Sequence, residues 1–431
     1  MKTKFIALAS LLLLATLPAC KKDFLELAPQ SEVSAVNFYK TADDVRAAVN
    51  GVYASLQSGD QYYGSLIFLL ENRSDNVFDA NPGGNAGREY SLDFFFETAD
   101  NALLQRTWAS FYNGIYRCNA VLSSIDAIAM DATLKEQYKA EMRFIRALNY
   151  FHLVRMWGDV PLVLTTITPL EAYKLGRTPT AEVYAAIEED LRFAAATLPA
   201  TYPPAEAGRA TLGAAKSLLG KVYLTEKKFS AAAGILSEVV ASGTYRLIDK
   251  VADVFSVGNE NNAELIFAVR FSKTIAGEGH GLHPVYDILN LNLDPALLAA
   301  YAPTDQRREL LNTTRISGNI AAVNKFYDVP FNNTIYGNDF PVLRYADVLL
   351  MRAEALNEEG YSAGGEAFDR LNQVRTRAGA TPYTAADLPD QARFREAVYL
   401  ERRLELPLEQ HRWYDLVRTG TAPAAIRKLG G

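Results

Sequence analysis

The sequence predicts a mostly α-helical protein, in which a scaffold of tetratricopeptide-like helical hairpins carries loop-rich insertions and a few short strands. Three observations predict this fold class. Apolar residues recur at helical spacing along much of the chain, three pairs of segments repeat a pattern of small residues, and two long polar segments interrupt the helical rhythm. With 431 residues, the chain is long enough to bury a large core.

Helical periodicity is clearest in residues 103–126, 133–157 and 211–226. The stripe of the third segment consists of Leu212, Ala215, Leu219 and Val222, at steps of three and four residues. Another helical segment follows almost at once and ends near Ser242-Gly243. Because the connection is so short, we expect these two helices to fold back on each other as a hairpin.

This hairpin fits the two-helix tetratricopeptide unit. Leu219-Gly220 followed by Tyr223 reproduces the L-G-x-x-Y step of that unit, and Ala232 supplies the small residue of the second helix. Residues 143–199 and 341–378 fit the same pattern more loosely. Small residues at these positions let two helices approach closely, so the three matches together predict a repeat scaffold.

The N-terminus indicates export. Two lysines precede an apolar run from Phe5 to Leu17 that is too short to span a membrane. The following LPAC resembles a bacterial lipobox, so we predict a signal peptide over residues 1–19 and lipid attachment at Cys20. The alternative is an ordinary signal peptide followed by a chance cysteine. The other cysteine, Cys118, lies in a helical pattern and is expected to be a small buried residue.

Residues 59–100 and 249–340 lack the helical pattern and are rich in Asn, Gly and aromatic residues. The run from Glu264 to Phe271 predicts a short strand within the second segment. Long irregular segments inside a helical scaffold are uncommon unless they carry function. We therefore predict one domain over residues 20–431, with a ligand face formed by these two segments.

The composition argues against several functions. The net charge is −6 without a long basic run, which argues against nucleic acid as the main partner. The sequence contains no Gly-rich phosphate motif and no G-x-S-x-G nucleophile elbow. His280 and His283 have no third ligand nearby, so we expect a solvated loop pair rather than a zinc site. We predict no cofactor, no metal and no enzymatic activity.

The charged stretch ERRLELPLEQHRWYDLVRTG, residues 401–420, is the main candidate for catalysis. Glu401 and Glu405 are four residues apart, so their Cβ atoms would lie about 5–6 Å apart on one helix face. Glycosidase carboxylates approach the scissile bond from two sides, whereas these two project in parallel. We therefore predict a structural ion-pair network. The expected partner of Glu401 is Arg402, Arg403, Arg412 or an arginine of a neighbouring helix such as Arg352.

Five sequence blocks give a more specific indication of the protein's family. They are EMRFIRALNYFHLVRMWGDVPLV (141–163), GRATLGAAKSLLGKVYL (208–224), LRYADVLLMRAEALNE (343–358), LNQVRTRAG (371–379) and the 401–420 stretch. In this order they resemble the SusD/RagB family of outer-membrane lipoproteins from Bacteroidota, and the resemblance runs from the lipobox to about Gly420. It implies a SusD-like domain, lipid-anchored in the outer membrane and facing the cell exterior. Such a protein captures a nutrient, usually an oligosaccharide, and delivers it to a SusC-like TonB-dependent transporter barrel.

In this family, ligands bind between loops of the two irregular segments. Sugar sites combine aromatic faces with planar amides, carboxylates and arginines. The candidate ligand contacts are therefore Arg73, Asp75, Asn76, Arg88, Tyr90, Phe94, Tyr286, Asn292, Tyr327 and Tyr336. The competing interpretation is that these aromatic residues belong to the core.

Three other functions stay open at this stage. A relative of the same family that captures peptides would have a pocket dominated by backbone-pairing edges. A tetratricopeptide assembly scaffold without a small ligand would tolerate replacement of both irregular segments. A surface hydrolase would lose turnover in Glu401→Gln while keeping its fold.

Overall fold

The computed structural model describes residues 38–62, 64–280, 291–317, 320–328 and 336–427. The α-helices within these residues are α1 (Ala42–Leu56), α2 (Ser65–Glu71), α3 (Arg88–Asp93), α4 (Ala102–Ser124), α5 (Ala132–Trp157), α6 (Pro169–Ala172), α7 (Thr180–Thr197), α8 (Leu212–Thr225), α9 (Phe229–Ala241), α10 (Val251–Val254), α11 (Pro295–Ala299), α12 (Tyr345–Glu359), α13 (Glu366–Arg377), α14 (Gln391–Glu405), α15 (Arg412–Thr419) and α16 (Ala422–Arg427). The strands are β1 (Val77–Asp79), β2 (Leu265–Val269), β3 (Leu291–Leu293), β4 (Thr313–Ser317), β5 (Ile320–Val323) and β6 (Phe340–Arg344). The mostly helical fold class is confirmed.

The three predicted hairpins are present. Helix α5 packs against α7, α8 against α9, and α12 against α13. Within the second pair, a Cβ atom added to Gly220 would lie 2.5 Å from Leu236 Cδ2, so only glycine permits this approach of α8 to α9. Ala232 on α9 is fully buried, as the tetratricopeptide pattern predicts.

Most buried apolar residues form one continuous cluster that extends from α1 to α15. Cys118 lies inside it, which confirms the prediction of a small buried residue, and burial raises the pKa of its thiol to about 12. None of the helices in the described part of the chain combines the length and apolar character needed to cross a membrane.

Among the described residues, the strands form three antiparallel pairs, and one of these pairs joins the two irregular segments. Strand β1 from the first segment pairs with β3 from the second, with Phe78 opposite Asn292. Strand β2, which confirms the predicted strand, pairs with β6, and β4 pairs with β5. The first segment is less irregular than predicted, because it contains α2 and α3. Helix α2 (SLIFLLE) has seven residues, of which the central five are all apolar, so its sequence shows no helical period.

Glu401 and Glu405 lie in a buried ion network, as predicted, and an arginine of a neighbouring helix, Arg375 on α13, pairs with Glu401, although none of the four arginines named in the prediction does. The Glu401 carboxylate contacts Arg307 Nη1 at 2.6 Å and Arg375 Nη1 at 2.7 Å. We use the name buried ion network for Glu264, Asp305, Arg307, Lys325, Arg344, Arg375, Arg377, Glu401, Glu405 and Glu409. None of the four named arginines contacts Glu401: Arg402 pairs with Asp347 and Asp415, Arg403 and Arg412 pair with Asp75, and Arg352 pairs with Glu366.

Arg344 lies at the centre of this network. Its guanidinium contacts Glu405 at 2.6 Å, Glu409 at 2.7 Å and Glu264 at 2.9 Å. Burial by itself disfavours the charged carboxylate of Glu405, but Arg377, Arg344 and Arg307 hold its pKa well below the ordinary value. The network therefore stays ionised and fastens α14 to β6.

His280 also differs from expectation. Instead of being solvated it is buried, its Nε2 lies 2.9 Å from the Asn338 carbonyl oxygen, and burial lowers its pKa to about 4. Its backbone pairs with that of Tyr336. His283 falls outside the described residues.

Candidate functional site

A group of aromatic side chains reaches the surface where the turn after α3 contacts α15. Phe94, Phe95 and Phe96 are 50%, 37% and 59% exposed. The ring of Tyr90 lies 4.3 Å from that of Phe94 and 6.1 Å from that of Phe96, and Phe95 lies 5.5 Å from Trp413, measured between centroids. We call these five residues the aromatic surface. Grouped exposed aromatic rings mark a binding surface, because leaving them in water is unfavourable.

The turn after α3 places the three phenylalanines outside the core. Helix α3 ends at Asp93, and Phe95 has a φ of 55°, a left-handed conformation that is uncommon for a residue with a side chain. The Phe96 amide then donates a hydrogen bond back to the Ser91 carbonyl oxygen. This strained turn holds consecutive phenylalanine rings at the surface, and such strain clusters at functional sites.

A second turn, residues 406–410, positions Trp413. Leu408 and Gln410 have φ values of 65° and 64°. The Gln410 amide donates to Glu71 Oε1 at 2.8 Å, which ties this turn to the end of α2. Glu71 is buried, and burial raises its pKa to about 7. The contact fixes the start of α15, and with it Trp413, beside the first irregular segment.

Polar groups border the aromatic surface. Arg73 pairs with Glu97, which follows Phe96. Asp75 accepts hydrogen bonds from Arg412 Nε and Nη2 at 2.6 and 2.9 Å, and Arg403 Nε donates to Asn76 Oδ1 at 2.9 Å. Asp75, Arg403 and Arg412 also line a cavity of about 690 Å³ together with Tyr399, Asp294 and Leu416. A cavity of this size is within the range of small-ligand sites.

The structure brings together seven of the predicted site residues. Arg73, Asp75, Asn76, Arg88, Tyr90 and Phe94 belong to the α2–α3 region, and Asn292 joins them through the pairing of β3 with β1. Of these, Arg73, Asp75 and Asn76 are engaged with Glu97, Arg412 and Arg403, so they hold neighbouring arginines and carboxylates in place.

The remaining predictions have different outcomes. Tyr336 is fully buried against His280, where a ligand cannot reach its side chain in this structure. The backbone of Tyr336 pairs with that of His280, and the Tyr336 ring lies inside the protein. Tyr327 is 38% exposed and directly follows a helical turn, Asn324–Phe326. Tyr286 and the predicted lipidation site Cys20 lie outside the described residues.

Trp413, Arg403 and Arg412 were missed as site residues, because they belong to the charged stretch that was interpreted as scaffold. Part of that stretch is scaffold. The available signal was the rarity of tryptophan, since the chain has three, and the position of Trp413 directly after Arg412.

Comparisons with known proteins agree with this architecture. A family model described as "SusD family" matches residues 312–429, and one described as "Starch-binding associating with outer membrane" matches residues 23–224. The structure is similar to a SusD homolog from Bacteroides thetaiotaomicron, with a TM-score of 0.81, 27% identity and coverage of 93% of this chain and 91% of the other. It is also similar to a laminarin-binding SusD-like protein, with a TM-score of 0.78, 28% identity and coverage of 91% and 94%.

In sequence, a SusD-like protein of Formosa agariphila is 31% identical, over 95% of this chain and 88% of the relative. The same match therefore spans the helical scaffold, the aromatic surface and the buried ion network. The chain belongs to the SusD family.

Proposed function

We propose that this protein binds an oligosaccharide at the aromatic surface and delivers it to a SusC-like TonB-dependent transporter barrel. One observation carries the proposal: three consecutive phenylalanines are held exposed beside Trp413 by a strained turn. The names of the relatives support the ligand class, because one solved relative binds laminarin and one matching family model is described as starch-binding and associated with the outer membrane.

The chemistry of the surface suits a sugar. Pyranose rings present flat C–H faces that stack on aromatic rings, while their hydroxyl groups need donors and acceptors at the edge. Arg412 uses two of its N–H groups on Asp75, and a guanidinium carries five, so others remain for a ligand in the adjoining cavity. Binding needs only these contacts and no covalent step, so we propose a binding protein rather than an enzyme.

The proposal includes the place of the protein in the cell. A single domain, residues 20–431, would be held at the outer face of the outer membrane by a lipid on Cys20 after removal of residues 1–19. Metabolic labelling with an alkyne fatty acid tests the anchor, since Cys20→Ser should abolish the label. Co-expression with a SusC-like transporter from the same genome tests delivery, and failure to isolate a stable pair would contradict that part of the proposal.

Calorimetry with protein beginning at Lys21 tests the ligand class, using starch, laminarin and other glycan oligosaccharides beside mixed peptides. We expect saturable binding of one glycan class, weakened at least about tenfold in a Phe94→Ala/Phe96→Ala variant, which corresponds to about 1.4 kcal/mol. Tyr173→Ala, at a side chain that is 90% exposed in a different loop, is the control and should bind normally. Binding of peptides but not glycans would support the peptide-capturing alternative. Glycan affinity that is unchanged in the Phe94→Ala/Phe96→Ala variant would contradict the placement of the site at the aromatic surface.

A further inference from the structure

A second group of partly exposed aromatic side chains lies on α4 and at the end of α5. Trp108 and Tyr112 are one turn apart on α4, with ring centroids separated by 5.0 Å. Trp157, the last residue of α5, meets Trp108 at 5.2 Å with an angle of 83° between the ring planes. The two indoles therefore form two walls of a corner, which Tyr112 extends. We call these three residues the tryptophan corner.

The corner differs from an ordinary part of the core in its hydrogen bonding. Neither Trp108 nor Trp157 has an acceptor for its indole N–H among the described residues, and both side chains are partly exposed. A buried tryptophan usually finds such an acceptor, because an unpaired buried donor costs about 1–3 kcal/mol. The two N–H groups are therefore left to face water or a ligand. The Tyr112 hydroxyl, by contrast, donates to the Pro161 carbonyl oxygen at 2.7 Å, which fixes the position of its ring.

Charged groups are held beside Trp157. Arg177 donates from Nη2 to the Trp157 carbonyl oxygen at 2.6 Å and from Nε to the Asp159 carbonyl oxygen at 2.7 Å. Asp159 Oδ1 accepts from the Thr180 amide and hydroxyl at 2.8 and 2.7 Å. Both Arg177 and Asp159 are exposed, so a guanidinium edge and a carboxylate oxygen remain available near the corner. Aromatic walls with fixed donors and acceptors at the rim are the combination that recognises a sugar ring.

We propose that the tryptophan corner is a second oligosaccharide-binding site. It shares no residue with the aromatic surface, and Leu92 of α3 and Met156 of α5 both contact a small apolar cluster that also contains Leu69 and Leu103. A short oligosaccharide fills either site, whereas a long glycan contacts both and gains affinity through the tethering of its two contacts. The inference takes its ligand class from the proposed function but rests on different residues.

The chain offers a direct spectroscopic test. Its three tryptophans are Trp108, Trp157 and Trp413, so a Trp413→Phe variant reports fluorescence from the tryptophan corner alone. The experiment titrates this variant, also carrying Phe94→Ala and Phe96→Ala, with the short oligosaccharide that binds the wild type. We expect a saturable change in tryptophan emission. Calorimetry should show that wild type binds two molecules of the oligosaccharide per chain and that the variant with Phe94→Ala and Phe96→Ala binds one.

Further variants separate a ligand contact from a packing role. Trp108→Ala should remove one equivalent, and Trp108→Phe, which keeps a packed ring but lacks the indole N–H, should weaken the second site at least about fivefold. Tyr116→Ala, two turns further along α4 and 51% exposed, should change nothing. Thermal unfolding of each variant confirms that it is folded, and Trp108→Phe keeps the test valid where Trp108→Ala is unstable.

The outcomes distinguish the two proposals. One equivalent bound by wild type, lost with Phe94 and Phe96 but unaffected at Trp108, overturns the second site and leaves the proposed function intact. Binding that depends on Trp108 alone supports the corner and overturns the location given to the main site. No binding of any glycan by wild type overturns both.

Discussion

The buried ion network and the aromatic surface depart in opposite directions from the rule that charged residues are usually exposed and apolar residues are usually buried. Glu401 and Glu405 are charged residues that are almost completely buried, whereas Phe94 and Phe96 are apolar residues that are half exposed or more. The 401–420 stretch contributes to both regions, since α14 carries the two glutamates inward while α15 presents Trp413 to Phe95. Proximity in sequence therefore does not assign a residue to one region or the other.

The two regions differ in whether the protein itself supplies the contact partners of the unusual side chains. Every carboxylate of the buried ion network has a cation within 3 Å, so the protein itself supplies the partners and no surface is left for a substrate. The exposed rings of the aromatic surface have part of their faces in water, and only a ligand can cover them. Unusual burial thus indicates structure when partners are present and function when they are missing.

The largest effect is expected from breaking the network at its centre. Arg344→Met leaves Glu264, Glu405 and Glu409 without their shared cation, so we expect the free energy of unfolding to fall by about 3–5 kcal/mol. Urea denaturation measures it. Arg393→Met removes an exposed pair with Glu396 and should cost less than about 0.5 kcal/mol. Similar losses in the two variants would mean that the network contributes no more than a surface pair.

The next effect depends on pH and concerns Glu71, which links the two regions. Its folded pKa of about 7 lies above its ordinary value of 4.5, so the folded state binds the extra proton between these values. Stability from this residue is therefore complete below about pH 4.5 and is lost as the pH rises through 7. Glu71→Gln stays neutral, so it should be about 2–3 kcal/mol more stable than wild type at pH 8 and nearly equal at pH 4.5.

Urea denaturation of wild type and Glu71→Gln across this pH range makes the comparison. Subtracting the free energy of unfolding of wild type from that of the variant at each pH removes the contribution of other carboxylates, which titrate equally in both proteins. Glu396→Gln, at an exposed carboxylate, is the matched control and should show no such trend. A Glu71→Gln variant that is less stable than wild type at pH 8 would show that the charged form is needed for the contact with Gln410.

A smaller effect is expected at the boundary, where Asp75 holds Arg412. Asp75→Asn removes the bidentate ion pair but leaves a partly exposed site, so we expect a loss of about 1–2 kcal/mol in stability. Glycan affinity should also fall, because Arg412 is no longer held beside Trp413. Calorimetry and denaturation on the same samples separate the two effects. Unchanged affinity would assign Asp75 to the scaffold alone.

The smallest effect on stability is expected at the aromatic surface itself. Phe96→Ala should change the free energy of unfolding by less than about 0.5 kcal/mol, since its ring is 59% exposed, while lowering glycan affinity. Leu92→Ala, four residues earlier and fully buried, should cost about 2–5 kcal/mol. A large stability loss in Phe96→Ala would show that the ring belongs to the core and would remove the basis of the comparison.

Much of the scaffold could be predicted from the sequence, because helical periodicity and small-residue spacing are local properties. The hairpin around Gly220 and those within residues 143–199 and 341–378 follow from residues a few positions apart, and the ion-pair role of Glu401 and Glu405 follows from their four-residue spacing. The candidate site was predicted only by region. The exposure of Phe96 depends on a turn with a left-handed residue, which no pattern in FFF reveals.

The sequence by itself determined the fold class, the repeats, the family resemblance and the ion-pair network of the charged stretch. Only the tertiary structure decided that Arg307 and Arg375 pair with Glu401, that Trp413 meets Phe95, and that Tyr336 is turned inward. Periodicity reports which side of an element is buried, because neighbours on one helix share a face. It does not report which distant segment covers that side, since the partner is chosen by packing of the whole chain.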